Sequence, residues 1–162
     1  MELYLMQHGP NLPKDQDPQE GLSPDGARVV EATALALARL GARPGLMISS
    51  PKARARQSAA LVAAALGYDT VKITISDQVK AMSEPGDTLQ FLAGLAGLGP
   101  LMVVGHLPNL AKVAGAVLAP CGTAQVDFQQ GGVACLEVNE LPSGQGRLLW
   151  YLPPKVTALL AG

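Results

Sequence analysis

The sequence predicts a three-layer α/β/α domain on a mainly parallel sheet, with an antiparallel strand contributed near the C-terminus. Three observations carry that reading. Short, almost wholly apolar runs alternate with longer helical patterns along most of the chain, as in strands covered on both faces by helices. Two Ser-Pro pairs, Ser23-Pro24 and Ser50-Pro51, stand where helices should begin. Serine caps free N–H groups there, and proline suits the first helical turn. After Gln130 the alternation gives way to two strand patterns separated by a Pro- and Gly-rich connection, which reads as a hairpin.

The elements follow in order. Leu3-Tyr4-Leu5-Met6 is a buried strand ending at His8-Gly9-Pro10. Ser23 caps a helix whose face is Leu22, Val30, Thr33, Leu37 and Leu40, and Gly41 stops it. Leu46-Met47-Ile48-Ser49 is the second strand. Ser50-Pro51 opens a helix that runs to about Leu66 and is closed by Gly67. Val71 to Ile75 alternates as a third strand, Thr88 to Leu98 is helical, Leu101 to Val104 is a very apolar strand, and Pro108 to Leu118 is helical. Val133 to Val138 and Arg147 to Leu152 are strands joined through Pro142-Ser143-Gly144-Gln145-Gly146, and a short helix from Pro154 to Leu160 ends the pattern. No internal repeat or interdomain linker interrupts it, so residues 1–162 form a single domain.

Composition narrows the function classes. Hydrophobic residues make up 48% and charged ones 15%, which places the chain among globular domains. A formal net charge of −1 leaves no basic excess to hold a nucleic-acid backbone. The longest apolar runs, such as Ala59 to Leu66, are too short to span a bilayer. The start, Met1 to His8, has no basic leader. Two cysteines, Cys121 and Cys135, are too few for a disulfide framework and fit a reducing, cytoplasmic compartment.

In an open α/β sheet, ligands sit where strands end and helices begin. Both histidines of the chain, His8 and His106, stand directly after apolar strands, each beside a glycine. Their setting does not suit a metal, because a catalytic zinc needs three protein ligands and no HxxxH, CxxC or facial-triad spacing is present. Phosphate chemistry suits it better, since a neutral imidazole can attack phosphorus and carry the phosphoryl group. Cationic donors must then surround the equatorial oxygens. Arg54 lies in the first turn after Ser50-Pro51, where free N–H groups also favour an anion. Arg56, two residues on, is rotated about 200° around the helix and faces solvent.

Taken together, these segments resemble the histidine phosphatase superfamily. Leu3 to Gly9 is similar to its first motif, a strand followed by Arg-His-Gly, and Ser50-Pro51-Lys52-Ala53-Arg54-Ala55-Arg56-Gln57-Ser58 is similar to its Ser-Pro-x-x-Arg-Ala-x-Gln-Thr run. Val103-Val104-Gly105-His106-Leu107-Pro108 matches the third motif, and Leu22-Ser23-Pro24-Asp25-Gly26 resembles the Leu-Thr-x-x-Gly that opens the first helix. The short chain, without a large helical insertion, is most similar to the SixA-type phosphohistidine phosphatases. The resemblance implies a hydrolase that needs no cofactor. His8 is its nucleophile, Arg54 and His106 bind phosphate together with Gln7, and the substrate is a phosphorylated protein, as in a phosphohistidine-bearing signalling or phosphotransfer domain. It also implies an oxyanion pocket and a general acid ahead of the fourth strand, where Glu84 is the candidate and Asp87 the reserve.

One motif position departs from the pattern. The family's first arginine is Gln7 here, so a planar, permanently charged fork is replaced by a neutral amide. A transition-state donor is worth roughly 3–4 kcal/mol, so the expected loss is on the order of 10²–10³ in rate unless Lys14 or Lys52 compensates. A phosphate-pocket binding module with weak or no turnover is therefore the alternative to the enzyme. A sugar-phosphate or nucleotide phosphatase is a weaker one, because the short connection between the third and fourth strands leaves little material for a lid.

Overall fold

The structure is a computed structural model and describes residues 1–120, 123–142 and 144–162. Among these residues six strands form one sheet, in the order β3-β2-β4-β1-β5-β6. The strands are β1 (Glu2–Gln7), β2 (Leu46–Ser49), β3 (Thr74–Ile75), β4 (Leu101–Gly105), β5 (Val133–Glu137) and β6 (Arg147–Leu152). Strands β1 to β4 pair in parallel, β5 is antiparallel to both of its neighbours, and β6 therefore returns to the common direction.

Alternation along each central strand divides the core in two. Leu3 and Leu5 of β1 and Leu101 and Val103 of β4 pack with Leu89, Leu92, Leu110 and Val113, beneath α3 (Pro85–Ala93) and α4 (Asn109–Leu118). Tyr4, Met6, Met102 and Val104 point the other way, onto Val30, Leu37, Ala59 and Val62 of α1 (Pro24–Arg39) and α2 (Ala53–Leu66). Every residue of β4 is buried, as a strand covered on both faces requires. The final helix α5 (Pro154–Ala161) lies along α1, where Thr33 and Thr157 hydroxyls meet at 3.0 Å. These helices and sheet make the three layers.

Several boundaries differ from the sequence expectation. Only Thr74–Ile75 of the expected Val71–Ile75 strand pairs with β2. Thr70–Lys72 forms a 3₁₀ turn instead, because the Asp69 carboxylate accepts the Val71 N–H and holds the chain in a turn. Helix α3 begins at Pro85, ahead of the expected Thr88, with Pro85 at its first position, and it yields at Gly94 to a 3₁₀ turn over Ala96–Leu98. Leu40, expected on the buried face of α1, is the C-cap and is half-exposed. Ser23 caps α1 as its position predicts, accepting the Gly26 N–H at 2.9 Å. Ser50 does not cap α2, which starts at Ala53. The β5–β6 hairpin forms, with Ser143 of its connection outside the described residues.

The strand order is what positions the site. Strand β1 lies directly beside β4 with Gln7 opposite Gly105, so the residues that follow them, His8 and His106, leave the same edge of the sheet side by side. Strand β2 flanks β4 on its other side, with Ser49 opposite Val104, and delivers the start of α2 to that edge.

Candidate active site

His8 is fixed by backbone on both sides. Its N–H donates to the Gly105 carbonyl (3.2 Å), and its carbonyl accepts from Gly131 N–H (3.0 Å). The residue is 5% exposed and its Nδ1 lies 2.7 Å from the Gly9 carbonyl. A carbonyl can only accept, so Nδ1 carries the proton and the lone pair is left on Nε2. The other contact agrees with this, because Arg54 Nε–H donates to His8 Nε2 at 3.2 Å. Arg54 thus marks the direction in which the Nε2 lone pair points.

The loop after His8 is pinned to both helices behind it. Gly9 N–H donates to Ser58 Oγ (3.1 Å), and the Ser58 hydroxyl donates to the Arg54 carbonyl (2.7 Å). Ser58 is one turn beyond Arg54 on α2, so a single hydroxyl ties the loop after His8 to the helix carrying the arginine. Gly26 of α1 lies against Pro10 so closely that a Cβ there would stand 1.8 Å from the Pro10 carbonyl oxygen. Only glycine allows that approach.

His106, 3% exposed, faces His8 with ring centroids 4.8 Å apart. Its Nε2 lies 2.6 Å from Ser50 Oγ, which also accepts the Lys52 N–H at 3.2 Å. The serine that the sequence assigns to a helix cap is thus drawn to the second imidazole. Asn109, wholly buried at the start of α4, donates to the Ser83 carbonyl and to Thr88 Oγ1, both at 2.9 Å, and joins the His106 turn to α3.

Burial governs the electrostatics. Desolvation pushes the His8 pKa down to about 4; the bond to Gly9 opposes this, and the Arg54 charge adds to it. Desolvation, followed by the neighbouring His8, Arg54 and Lys52, pushes His106 down to about 3. Both imidazoles are neutral near pH 7. A neutral His8 keeps its Nε2 lone pair unprotonated, and the positive charge beside it is left to the guanidinium and the nearby ammonium.

The structure thus brings His8, Arg54 and His106 together, with Gln7 next to them at 8% exposure and its Oε1 without a hydrogen-bond partner. Lys52 stands at the rim, and a cavity of about 180 Å³ opens there between Lys52, Arg54, Lys80, Ala81, Met82 and His106. Lys14 is exposed in the loop before α1, with no described bond to these residues. Arg56 is exposed and lines a separate groove with Gln57 and Val71. Glu84, expected as general acid, is exposed at the N-cap of α3 with no described bond to the histidines or Arg54. Its reserve Asp87 is exposed in the first turn of α3. Cys135 is buried within the sheet between Tyr4 and Trp150, and Cys121 lies outside the described residues.

One acidic residue escaped the sequence reading. Glu20 Oε2 lies 3.6 Å from Arg54 Nη1. No periodicity marks residue 20, which follows the most polar stretch of the chain, Lys14 to Gln19.

No protein-family model and no curated protein sequence matches the chain. Solved structures do. The protein histidine phosphatase SixA, complexed with tungstate, superposes with a TM-score of 0.85 at 23% identity, covering 96% of this chain and 98% of that one. A structure from Agrobacterium tumefaciens assigned to SixA gives 0.75 at 26% identity, covering 94% and 97%. A mycobacterial glucosyl-3-phosphoglycerate phosphatase, complexed with VO3, gives 0.73 at 14% identity, covering 94% and 99%. No helix among the described residues is long and apolar enough to cross a membrane. Over nearly its whole length the chain has the fold of the histidine phosphatase superfamily, and it resembles the SixA-type phosphohistidine phosphatases in particular.

Proposed function

We propose that this protein is a phosphatase acting through a phosphohistidine intermediate on His8, with a phosphohistidine-bearing protein as its substrate. The observation that carries the reading is the His8 tautomer. Gly9 holds the Nδ1 proton, leaving the Nε2 lone pair directed at Arg54, the group best suited to hold a phosphoryl oxygen. The lone pair on Nε2 attacks phosphorus, the leaving group departs with the bonding electrons, and water then cleaves the phosphohistidine to regenerate the imidazole. His106 and Arg54 bound the same space, and an oxyanion such as the tungstate of the SixA complex would sit between them. The open rim beside Met82 and Lys80 suits a protein-borne phosphoryl group. Glu84 stays a candidate acid only if α3 moves toward the site. Rapid-quench treatment with a phosphodonor should label His8 with an acid-labile, base-stable phosphoramidate, and His8→Ala should abolish the label while the far-UV spectrum is unchanged. No label on wild type, with oxyanion binding intact, would instead make the pocket a binding module, the reading that the uncharged Gln7 favours.

A further inference from the structure

Glu20 is held beside the phosphate-binding arginine by a loop with little freedom. It is the one non-glycine residue with positive φ (+50°) among the described residues, a left-handed conformation that a side chain adopts only when its surroundings impose it. The surroundings do so here. The Glu20 N–H donates to the Asp17 carbonyl (2.8 Å), and the Asp17 carboxylate accepts the N–H groups of Gln19 (2.9 Å) and Gly21 (2.8 Å) on either side. The next residue, Leu22, donates to Gln57 Oε1 of α2.

The carboxylate that this loop delivers forms an ion pair with the arginine but no hydrogen bond. Its 3.6 Å separation from Arg54 Nη1 is too long for a hydrogen bond, and Nη1 is buried with no partner. A residue that merely plugged the guanidinium would close that gap. Glu20 instead leaves Nη1 for a phosphoryl oxygen and sets a negative charge beside the guanidinium that would hold it. Gln7, one residue before the nucleophile, adds no positive charge. Both positions therefore disfavour a doubly charged phosphate ester, which carries only negative charge. A phosphoryl group on a protonated nitrogen carries one positive charge of its own.

We infer that Glu20, with Gln7 leaving the pocket one cation lighter, selects phosphoryl groups borne on a protonated nitrogen over phosphate esters. This rests on the phosphatase reading above. The Glu20 carboxylate accepts a hydrogen bond from an N–H of the leaving group, the ammonium of phosphoramidate or the ring N–H away from phosphorus in a phosphoimidazole, and keeps that group cationic. The His8 Nε2 lone pair then forms the new P–N bond, the substrate's P–N bond breaks, and its electron pair returns to the leaving group, which departs neutral and keeps the proton that Glu20 held.

The test compares kcat/KM for phosphoramidate with that for 4-nitrophenyl phosphate in the full-length protein. Glu20→Gln keeps the size and removes the charge, and the ratio of phosphoramidate to ester should fall tenfold or more. Glu20→Gly suits the positive φ, so it should fold at least as stably and show the same fall. A ratio within threefold of wild type in both variants overturns the inference, as do equal gains on both substrates, which would make the carboxylate a simple competitor for Arg54. Wild-type protein that turns over neither substrate and takes no label on His8 would refute the phosphatase reading itself, a result distinct from an unchanged ratio.

Discussion

Ser50 Oγ lies 2.6 Å from His106 Nε2 and at the same time accepts the Lys52 N–H. One hydroxyl thereby orients the second imidazole and ties it to the chain entering α2. Ser50→Ala should leave a buried imidazole nitrogen unpartnered, at a cost of about 1–3 kcal/mol in stability. Phosphatase kcat/KM should fall roughly tenfold, since each 1.4 kcal/mol lost from the transition state is about that factor. Urea denaturation and steady-state kinetics on the same preparation check both numbers, and a variant equal to wild type in both would show that the contact is idle.

The pH dependence has a definite sign. His8 and His106 hold folded pKa values near 4 and 3, below the ordinary 6.5 of an unfolded histidine. Between pH 6.5 and about 4 the unfolded chain binds these two protons and the folded one does not. Stability therefore falls as the pH drops through that window and is indifferent to these groups above it. The slope approaches about 1.4 kcal/mol per pH unit for each histidine. Urea midpoints at pH 7, 6 and 5 should decline, and His106→Asn should decline less steeply. The acid limb of kcat/KM should lie near pH 4, because His8 stays unprotonated until then.

Gln7 is buried beside His8 with its Oε1 unpartnered, so Gln7→Arg places a charged fork where only an amide stands. For 4-nitrophenyl phosphate, kcat/KM should rise roughly tenfold to a few hundredfold. Lys52 at the rim already supplies part of the field felt at His106, which sets the gain toward the lower end. A fall in both turnover and phosphate affinity would show that the amide is matched to its own substrate.

Much of this site was legible because its parts are local. His8 and His106 each follow an apolar run and precede a turn, and Arg54 follows Ser50-Pro51, so short-range pattern alone places all three at strand or helix ends. The paired strands then bring those ends together. What could not be read depends on contacts between distant segments. Ser50 looked like a helix cap because capping is the commonest use of a serine before proline, yet the buried His106 takes its hydroxyl. Gly26 looked like a motif letter, and only the packed structure shows the Pro10 carbonyl in the space of its absent side chain. Glu20 was invisible for the same reason, since its position is set by Asp17 and Gln57 through a loop without periodicity. The third strand was overread because alternation of Val71, Ile73 and Ile75 outweighed one Asp at residue 69.

The adjacency of β1 and β4 has a kinetic meaning as well. The two imidazoles stand 98 residues apart in the chain, at positions 8 and 106, so no fragment that lacks either strand can hold an oxyanion between them. Pairing at such sequence distance is expensive in loop entropy and forms late relative to local helices. Any oxyanion affinity should therefore require the completed sheet. Saturating tungstate should accordingly slow global unfolding and raise the melting temperature with the logarithm of its concentration, while leaving early refolding events at the rate of the unliganded chain.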